Sequence, residues 1–123
     1  MSAAFDEMSS YLSILAEPIR IKILYALADG ERSVGEIAEE VAGSQTNVSR
    51  HLALMYRSGV LSRRRDANQV FYGMKDALCL QLCRTVCSAL IGRLQEGEPV
   101  RKDLQRVMTP RRPAPRRRVR GHL

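Results

Sequence analysis

The 123-residue sequence has no tryptophan, two phenylalanines and three cysteines, and no long uninterrupted run of apolar residues. A transmembrane helix needs about 18 or more such residues in a row, so we expect no membrane span. The opening residues MSAAFDEMSS lack the basic stretch that begins a secretory signal peptide. We therefore expect a cytoplasmic protein with reduced thiols. The odd number of cysteines also argues against a closed set of structural disulfides.

Acidic residues are scarce in the last part of the chain. The formal net charge is +7, made up of −5 over residues 1–49, +4 over residues 50–98 and +8 over residues 99–123. The last segment is rich in proline and arginine and poor in apolar residues, a composition typical of disorder. We predict one domain over residues 1–98 and a disordered basic tail over residues 99–123, with a short helical turn over Val100–Met108 as an alternative. Such a tail either binds nucleic-acid phosphates without sequence preference or only keeps the protein soluble.

Hydrophobic periodicity predicts four helices, a β-hairpin and a final helix. The first helix is expected over Ala3–Ala16, where apolar residues recur at three- and four-residue steps. The second begins near Pro18, which suits a first helical turn, and ends at Gly30. Ser33 and Glu36 match a capping box at the start of the third helix. The later elements are, in order, a fourth helix after Ser44, the strand-like runs VLSRRR and QVFYGM, and a final helix from Asp76 to about Gly97.

The third and fourth predicted helices are joined by a short turn that contains Gly43, which is the pattern of a helix-turn-helix. The hairpin that follows them lies where a winged helix has its wing. The sequence therefore predicts a mainly α fold with a small β-hairpin, a winged helix-turn-helix.

The start of the fourth helix and the hairpin carry the polar and basic side chains expected of a DNA interface. In a helix-turn-helix the second helix enters the major groove with its N-terminus first. There, Gln and Asn pair with adenine edges, and Arg pairs with guanine or phosphate. Polar side chains alone would only solvate the start of a helix, but together with a basic wing they indicate DNA binding. The candidates are Gln45, Thr46, Asn47, Ser49 and Arg50 on the helix and Arg63, Arg64 and Arg65 on the wing.

Several stretches resemble the ArsR–SmtB family of winged-helix repressors: AEPIRIKILYAL, SVGEIAEEV, SQTNVSRHLALMYRSGVLSRRRD and VFYGM, within roughly Tyr11 to Leu94. The resemblance implies a homodimer paired through its first and last helices. It implies that this dimer binds a palindromic double-stranded DNA operator without a cofactor, and releases it when a metal, metalloid or thiol oxidant binds. It also implies base contacts by Gln45, Thr46, Asn47 and Arg50, and backbone contacts by Ser49, His51 and the wing arginines.

The best-known effector sites of that family are missing from this sequence. Its arsenic-sensing members have a Cys-x-Cys pair in the third helix, where this chain reads SVGEI. Its zinc-sensing members have Asp, Glu and His ligands in the last helix, which contains no histidine here. The resemblance therefore implies the scaffold and leaves the effector open.

All three cysteines lie in the final predicted helix, at four-residue steps: Cys79, Cys83 and Cys87. Helical neighbours four apart lie ~5–6 Å apart at Cβ, whereas Cys79 and Cys87 are ~12 Å apart along the axis. A neighbouring pair can therefore bind one soft ion, and all three cannot unless the helix deforms. Thiolates select soft ions such as trivalent arsenic or antimony. The alternatives are a disulfide or polysulfide redox sensor and inert core packing.

No histidine or carboxylate accompanies the cysteines as a catalytic base would, so we expect no enzyme activity. The leading hypothesis is a repressor that releases its operator when arsenite, antimonite or another soft metal binds the cysteines of the last helix. At least one adjacent pair, Cys79–Cys83 or Cys83–Cys87, is expected to be essential. A redox or reactive-sulfur sensor that uses the same cysteines is the first alternative. An architectural DNA-binding protein with inert cysteines is the second, and a protein-interaction module that docks through the last helix is the third.

Overall fold

The computed structural model describes residues 1–109, which form six α-helices and three short β-strands. No helix within this range is long and apolar enough to cross a membrane. The prediction of a mainly α winged helix-turn-helix is confirmed. In chain order the elements are α1 (Ser2–Ile14), α2 (Pro18–Ala26), β1 (Arg32–Ser33), α3 (Val34–Val41), α4 (Gln45–Arg57), β2 (Leu61–Asp66), β3 (Gln69–Met74), α5 (Leu78–Arg93) and α6 (Pro99–Met108).

Side-chain caps fix where α3 and α4 begin. The Glu36 amide donates to Ser33 Oγ at 3.2 Å, and the Ser33 amide donates to Glu36 Oε1 at 2.9 Å, which completes the predicted capping box. At the start of α4 the Asn47 amide donates to Ser44 Oγ at 3.1 Å. Between the two helices, Ala42 adopts the left-handed conformation with φ of 55°. Gly43 matters for a different reason, because an added Cβ there would lie 3.0 Å from Val48 Cγ2.

The sheet is antiparallel with strand order β1-β3-β2. The predicted hairpin is present, and its strands pair from Leu61 opposite Met74 to Asp66 opposite Gln69. Strand β1 was not predicted; its two residues pair with the far side of β3. This small sheet holds the wing against the helix-turn-helix.

The hydrophobic core lies between α2, α3, α4 and the sheet, with Cys79 of α5 at its edge. The largest fully buried side chains are Ile23, Leu24, Leu27, Ile37, Leu52, Met55 and Leu61. Helix α1 contributes no buried residue and leaves Phe5, Met8 and Leu12 exposed. Helix α5 exposes Val86 and Leu90 in the same way. One side of the molecule, formed by α1 and α5, is therefore apolar and open to solvent.

The predicted disordered tail needs a correction over its first ten residues. Residues Pro99–Met108 form α6, with Pro99 in its first turn. The helix packs on α5, where Arg101 Nε donates to the Ile91 carbonyl at 3.2 Å. The helix covers the turn that was expected as an alternative over Val100–Met108. Composition alone favoured disorder because the apolar residues of α6 gain a partner only through tertiary contact with α5. The rest of the predicted tail, residues 110–123, lies outside the described part of the chain.

Candidate DNA interface and cysteine helix

Helix α4 turns its apolar and polar faces in opposite directions. Val48, Leu52 and Met55 are fully buried in the core. This anchors the helix and leaves its first turns at the surface. Gln45, Thr46, Ser49 and Arg50 are exposed there, and Asn47 is half-buried. We call α4 the recognition helix from here on, because its exposed start carries the side chains predicted to read DNA.

A polar groove of about 510 Å³ lies between the recognition helix and the wing. Gln45, Thr46 and Ser49 line one side of it, and Asn68 and Gln69 from the hairpin line the other. Gly35 of α3 also lines this groove, and a Cβ at that position would lie 3.1 Å from Gln45 Nε2. Gly35 was not among the predicted site residues, because no local pattern links it to Gln45 in the next helix.

Two of the predicted base-contacting residues are joined to each other. Arg50 Nη2 donates to Asn47 Oδ1 at 2.7 Å. The bond orients the guanidinium along the exposed face of the helix. It also leaves the amide N–H groups of Asn47 as donors.

His51 is half-buried and is held by Arg20 of α2, whose Nε donates to His51 Nδ1 at 3.2 Å. Burial lowers the pKa of His51, and the positive charges of Arg20 and Arg50 lower it further. The imidazole is therefore neutral near pH 7, and because Nδ1 accepts a hydrogen bond its proton lies on Nε2. Arg20 Nη1 also donates to the carbonyls of Ser13 and Ile14 at 3.5 and 3.3 Å. Arg20 was not predicted as a site residue, because no local pattern links residues that are 31 positions apart.

The three wing arginines have different surroundings. The Arg63 guanidinium lies 4.1 Å from the centre of the Tyr56 ring. Arg64 forms an ion pair with Glu31 and a second one with Asp66 at 3.8 Å. Arg65 is exposed and makes no side-chain hydrogen bond, ion pair or ring contact with residues 1–109. The structure thus attaches Arg64 to the rest of the domain and leaves Arg65 at the surface.

The three cysteines are free thiols in two environments. Cys79 is buried, and its Sγ lies 2.8 Å from the Tyr11 hydroxyl oxygen. Cys87 is also buried and donates to the Leu104 carbonyl of α6 at 3.4 Å, while Cys83 is half-buried. Burial raises the pKa of all three thiols, so they are protonated at neutral pH.

The structure brings two of the three cysteines to one cavity. Cys83 and Cys87 line an apolar cavity of about 400 Å³ between α1, α2, α5 and α6, and Cys79 does not. Among the described residues, no group of three or more His, Cys, Asp or Glu side chains is placed to hold a metal ion. Cys79, Cys83 and Cys87 therefore do not form one shared three-ligand site within a single chain.

Comparisons with known proteins agree with this fold. A family model described as bacterial regulatory protein, arsR family, matches residues 17–63. The biofilm growth-associated repressor of Xylella fastidiosa is 32% identical over 82 residues, which cover 67% of this chain and 72% of the repressor. The homodimeric winged helix-turn-helix domain Mb0332 of Mycobacterium bovis is 26% identical with a TM-score of 0.68, covering 79% of this chain and 90% of that domain. The antimony-specific transcriptional repressor AntR is 26% identical with a TM-score of 0.68, covering 77% of this chain and 87% of AntR.

Proposed function

The chain belongs to the ArsR family of bacterial regulatory proteins, and from this premise we propose that it is a transcriptional repressor whose operator is released when a thiol-reactive effector binds Cys83 and Cys87. The relatives that it matches are DNA-binding transcriptional regulators rather than enzymes. The observation that carries the proposal is that the start of the recognition helix and the hairpin line one polar groove.

DNA recognition follows from the direction of the recognition helix. Its exposed N-terminal turns would enter the major groove, as in other helix-turn-helix proteins. Gln45, Thr46, Asn47 and Arg50 would then contact base edges. Ser49, His51, Arg63, Arg64 and Arg65 would contact the DNA backbone, and no cofactor is needed for binding. The hydrogen on His51 Nε2 suits this role because a phosphate oxygen can accept it.

Homodimerisation through α1 and α5 is supported by the apolar side of the molecule. Phe5 and Met8 are each 60% exposed, and Val86 is 57% exposed. Large apolar patches on a soluble protein indicate an interaction surface. A two-fold dimer joined here would present two recognition helices to a palindromic operator, with half-sites one DNA turn apart.

The proposed effector site uses Cys83 and Cys87 because both line the same cavity. Two thiolates can hold one trivalent arsenic or antimony ion, with a third sulfur from the partner subunit or from an exogenous thiol. The similarity to an antimony-specific repressor agrees with this effector class. Oxidation or polysulfide bridging of the same pair is the second candidate, and a constitutive DNA-binding protein with inert cysteines is the third. Cys79 is left out because its thiol contacts Tyr11.

The test is a gel-shift titration of full-length reduced protein on an operator selected from random duplexes. Arsenite, antimonite and a persulfide donor are added in separate series. We expect wild type and Cys79→Ser to release the operator, and Cys83→Ser and Cys87→Ser to stay bound. Cys79→Ser is the matched control, since it removes a thiol from the same helix outside the cavity. Release by Cys83→Ser would contradict the proposal and assign the cysteines to core packing.

A further inference from the structure

We propose that Phe5 and Met8 of a second copy fill the cavity lined by Cys83 and Cys87, so that pairing of the two chains and effector binding at these cysteines exclude each other. We call this cavity the α5 cavity, and we call residues 2–10 of α1 the α1 arm. The inference rests on the dimer and the effector site proposed above, and it specifies how one controls the other. An effector that binds in the α5 cavity releases the operator by separating the two chains.

The α1 arm is exposed along its whole length. Residues 1–10 are all exposed, and α1, which has 13 residues, contributes no buried residue. A helix of this length is marginal in water unless an apolar face packs against another surface. Within residues 1–109, the first side-chain hydrogen bond from α1 to another element is made only after the arm, by the Tyr11 hydroxyl at 2.8 Å from Cys79 Sγ. The arm therefore gains a packing surface when a second copy supplies one.

The apolar residues of the α1 arm continue into the wall of the α5 cavity. Phe5, Met8 and Leu12 follow each other at steps of three and four residues, so they lie on one face of α1. They are 60%, 60% and 54% exposed. Leu12 also lines the α5 cavity. Two copies related by a two-fold axis use the same patch on both chains, so each copy can place its own Phe5 and Met8 in the cavity of the other.

Charge favours the same occupant. Lys22 is the one charged residue in the lining of the α5 cavity, and Asp6 and Glu7 are the only charged residues of α1. All three are exposed, and none of them forms an ion pair or a side-chain hydrogen bond within residues 1–109. The arm of a second copy therefore brings carboxylates to the ammonium that it covers, which avoids an uncompensated charge. Residues 110–123 of the same chain contain six arginines and no acidic residue, so Lys22 repels them.

Exclusion follows from the size of the α5 cavity and from the chemistry at Cys83. The cavity holds about 400 Å³, and protein interiors pack without empty space, so Phe5 and Met8 inside it leave no room for an effector. Arsenite forms each As–S bond as one arsenic hydroxyl leaves as water with the proton of the thiol. Because this requires an open cavity, arsenite binds the separated chain and shifts the equilibrium away from the dimer by mass action. The third sulfur then comes from an exogenous thiol.

The first experiment measures how fast N-ethylmaleimide alkylates Cys83 in the full-length reduced protein, mapped by peptide mass spectrometry. Two protein concentrations are compared, both mainly dimeric by sedimentation velocity. The fraction of separated chains falls with the square root of concentration, so a rise of about 100-fold should slow alkylation of Cys83 about tenfold. Cys79 is the internal control, because it is only 2% exposed within its own chain. Its alkylation rate should not depend on concentration.

The second experiment removes the apolar residues of the α1 arm. Phe5→Ser with Met8→Ser should weaken the dimer roughly tenfold or more, because two buried apolar side chains are lost, and should speed alkylation of Cys83. The matched control is Val100→Ser on α6, which removes a side chain that is 58% exposed and lies outside the lining. It should pair as wild type does. The replaced residues are all exposed within the chain, so circular dichroism should show an unchanged fold.

A charge exchange provides a further variant. Lys22→Glu should weaken the dimer by roughly fivefold, the effect expected of exposed ion pairs. Adding Asp6→Lys and Glu7→Lys to the same chain should restore pairing. Lys102→Glu on the exposed face of α6 is the control and should leave the dimer unchanged.

The proposal is overturned if the protein stays monomeric, or if Cys83 in a dimeric protein is alkylated at a rate independent of concentration. It is also overturned if Phe5→Ser with Met8→Ser pairs as tightly as wild type, or if chains alkylated at Cys83 remain dimeric. None of these measurements uses arsenite or DNA. Operator release by a protein that stays dimeric with arsenite would contradict this inference and leave the proposed function intact, whereas absence of release would contradict the proposed function.

Discussion

Arg20 connects the end of α1 to the recognition helix through a single guanidinium group. Its bonds to the carbonyls of Ser13 and Ile14 fix the turn after α1, and its bond to His51 Nδ1 fixes the imidazole tautomer. In Arg20→Ala the nearby positive charge and the bond to the neutral imidazole are both lost. We therefore expect the pKa of His51 to rise toward the ordinary value of 6.5. NMR titration of the two histidines measures it, with His122 as the internal reference.

The same variant should bind the operator several-fold more weakly at pH 7.5, because the His51 ring is no longer held for a phosphate contact. Arg20→Lys keeps the charge but cannot hold three acceptors in the same fixed geometry. The His51 pKa in Arg20→Lys should therefore lie close to its value in the wild-type protein. The DNA affinity should recover only in part. An unchanged His51 pKa in Arg20→Ala would show that Arg20 does not position this ring.

A second prediction for single residues concerns Asn47 and Arg50. Each change to alanine should weaken specific operator binding by ~1–3 kcal/mol, the usual cost of one base contact. Since Arg50 Nη2 donates to Asn47 Oδ1 in the free protein, the double variant should lose less than the sum of the two. Fluorescence anisotropy measures the affinities, with Arg93→Ala at the end of α5 as the control. Unchanged affinity in both single variants would place the recognition surface elsewhere.

Two neighbouring arginines of the wing differ in the ion pairs that they form. Arg64 is paired with Glu31 and Asp66, whereas Arg65 has no such partner within residues 1–109. Arg65→Gln should therefore reduce the slope of log K against log salt by about 1, as loss of one phosphate contact does. Arg64→Gln should change that slope less, because the carboxylates already offset much of its charge. Equal changes in the two variants would mean that the Glu31 ion pair opens on DNA.

An element could be predicted from the sequence when the contacts that stabilise it are local to the chain. Helices α3 and α4 were predictable because their caps, at Ser33 and Ser44, are local to the chain. Strand β1 was not, because two residues form a strand only when Tyr72 and Phe71 lie opposite them. Helix α6 was expected only as the alternative to a disordered tail for the same reason, since α5 supplies its apolar partner. Within the candidate site, the polar start of the recognition helix was readable, whereas the division of the cysteines between two environments required the packed structure.

At the scale of the whole molecule, residues 110–123 carry most of the net positive charge. Truncation after Thr109 removes six arginines and no acidic residue, a net loss of +6. If this segment contacts DNA, the salt dependence of binding should fall by about 0.9 for each phosphate contact that is lost. Preference for the operator over random DNA should stay, because the recognition helix is untouched. An unaltered salt slope would show that residues 110–123 do not contact DNA.

A protein truncated after Glu98 is compared with the one truncated after Thr109. It also removes α6, which accepts the hydrogen bond from Cys87 through the Leu104 carbonyl. Cys87 should then react faster with N-ethylmaleimide than in the protein truncated after Thr109. The two truncations together separate the role of the basic segment from that of the helix before it.

Gly35 lies outside the recognition helix but borders a side chain that is predicted to touch the operator. A methyl group at this position in α3 would lie 3.1 Å from Gln45 Nε2 and displace that amide by a few tenths of an ångström. The recognition helix would keep every one of its residues while an amide that is predicted to touch a base moved. If Gln45 does contact a base, the choice of operator depends in part on a residue that never touches DNA.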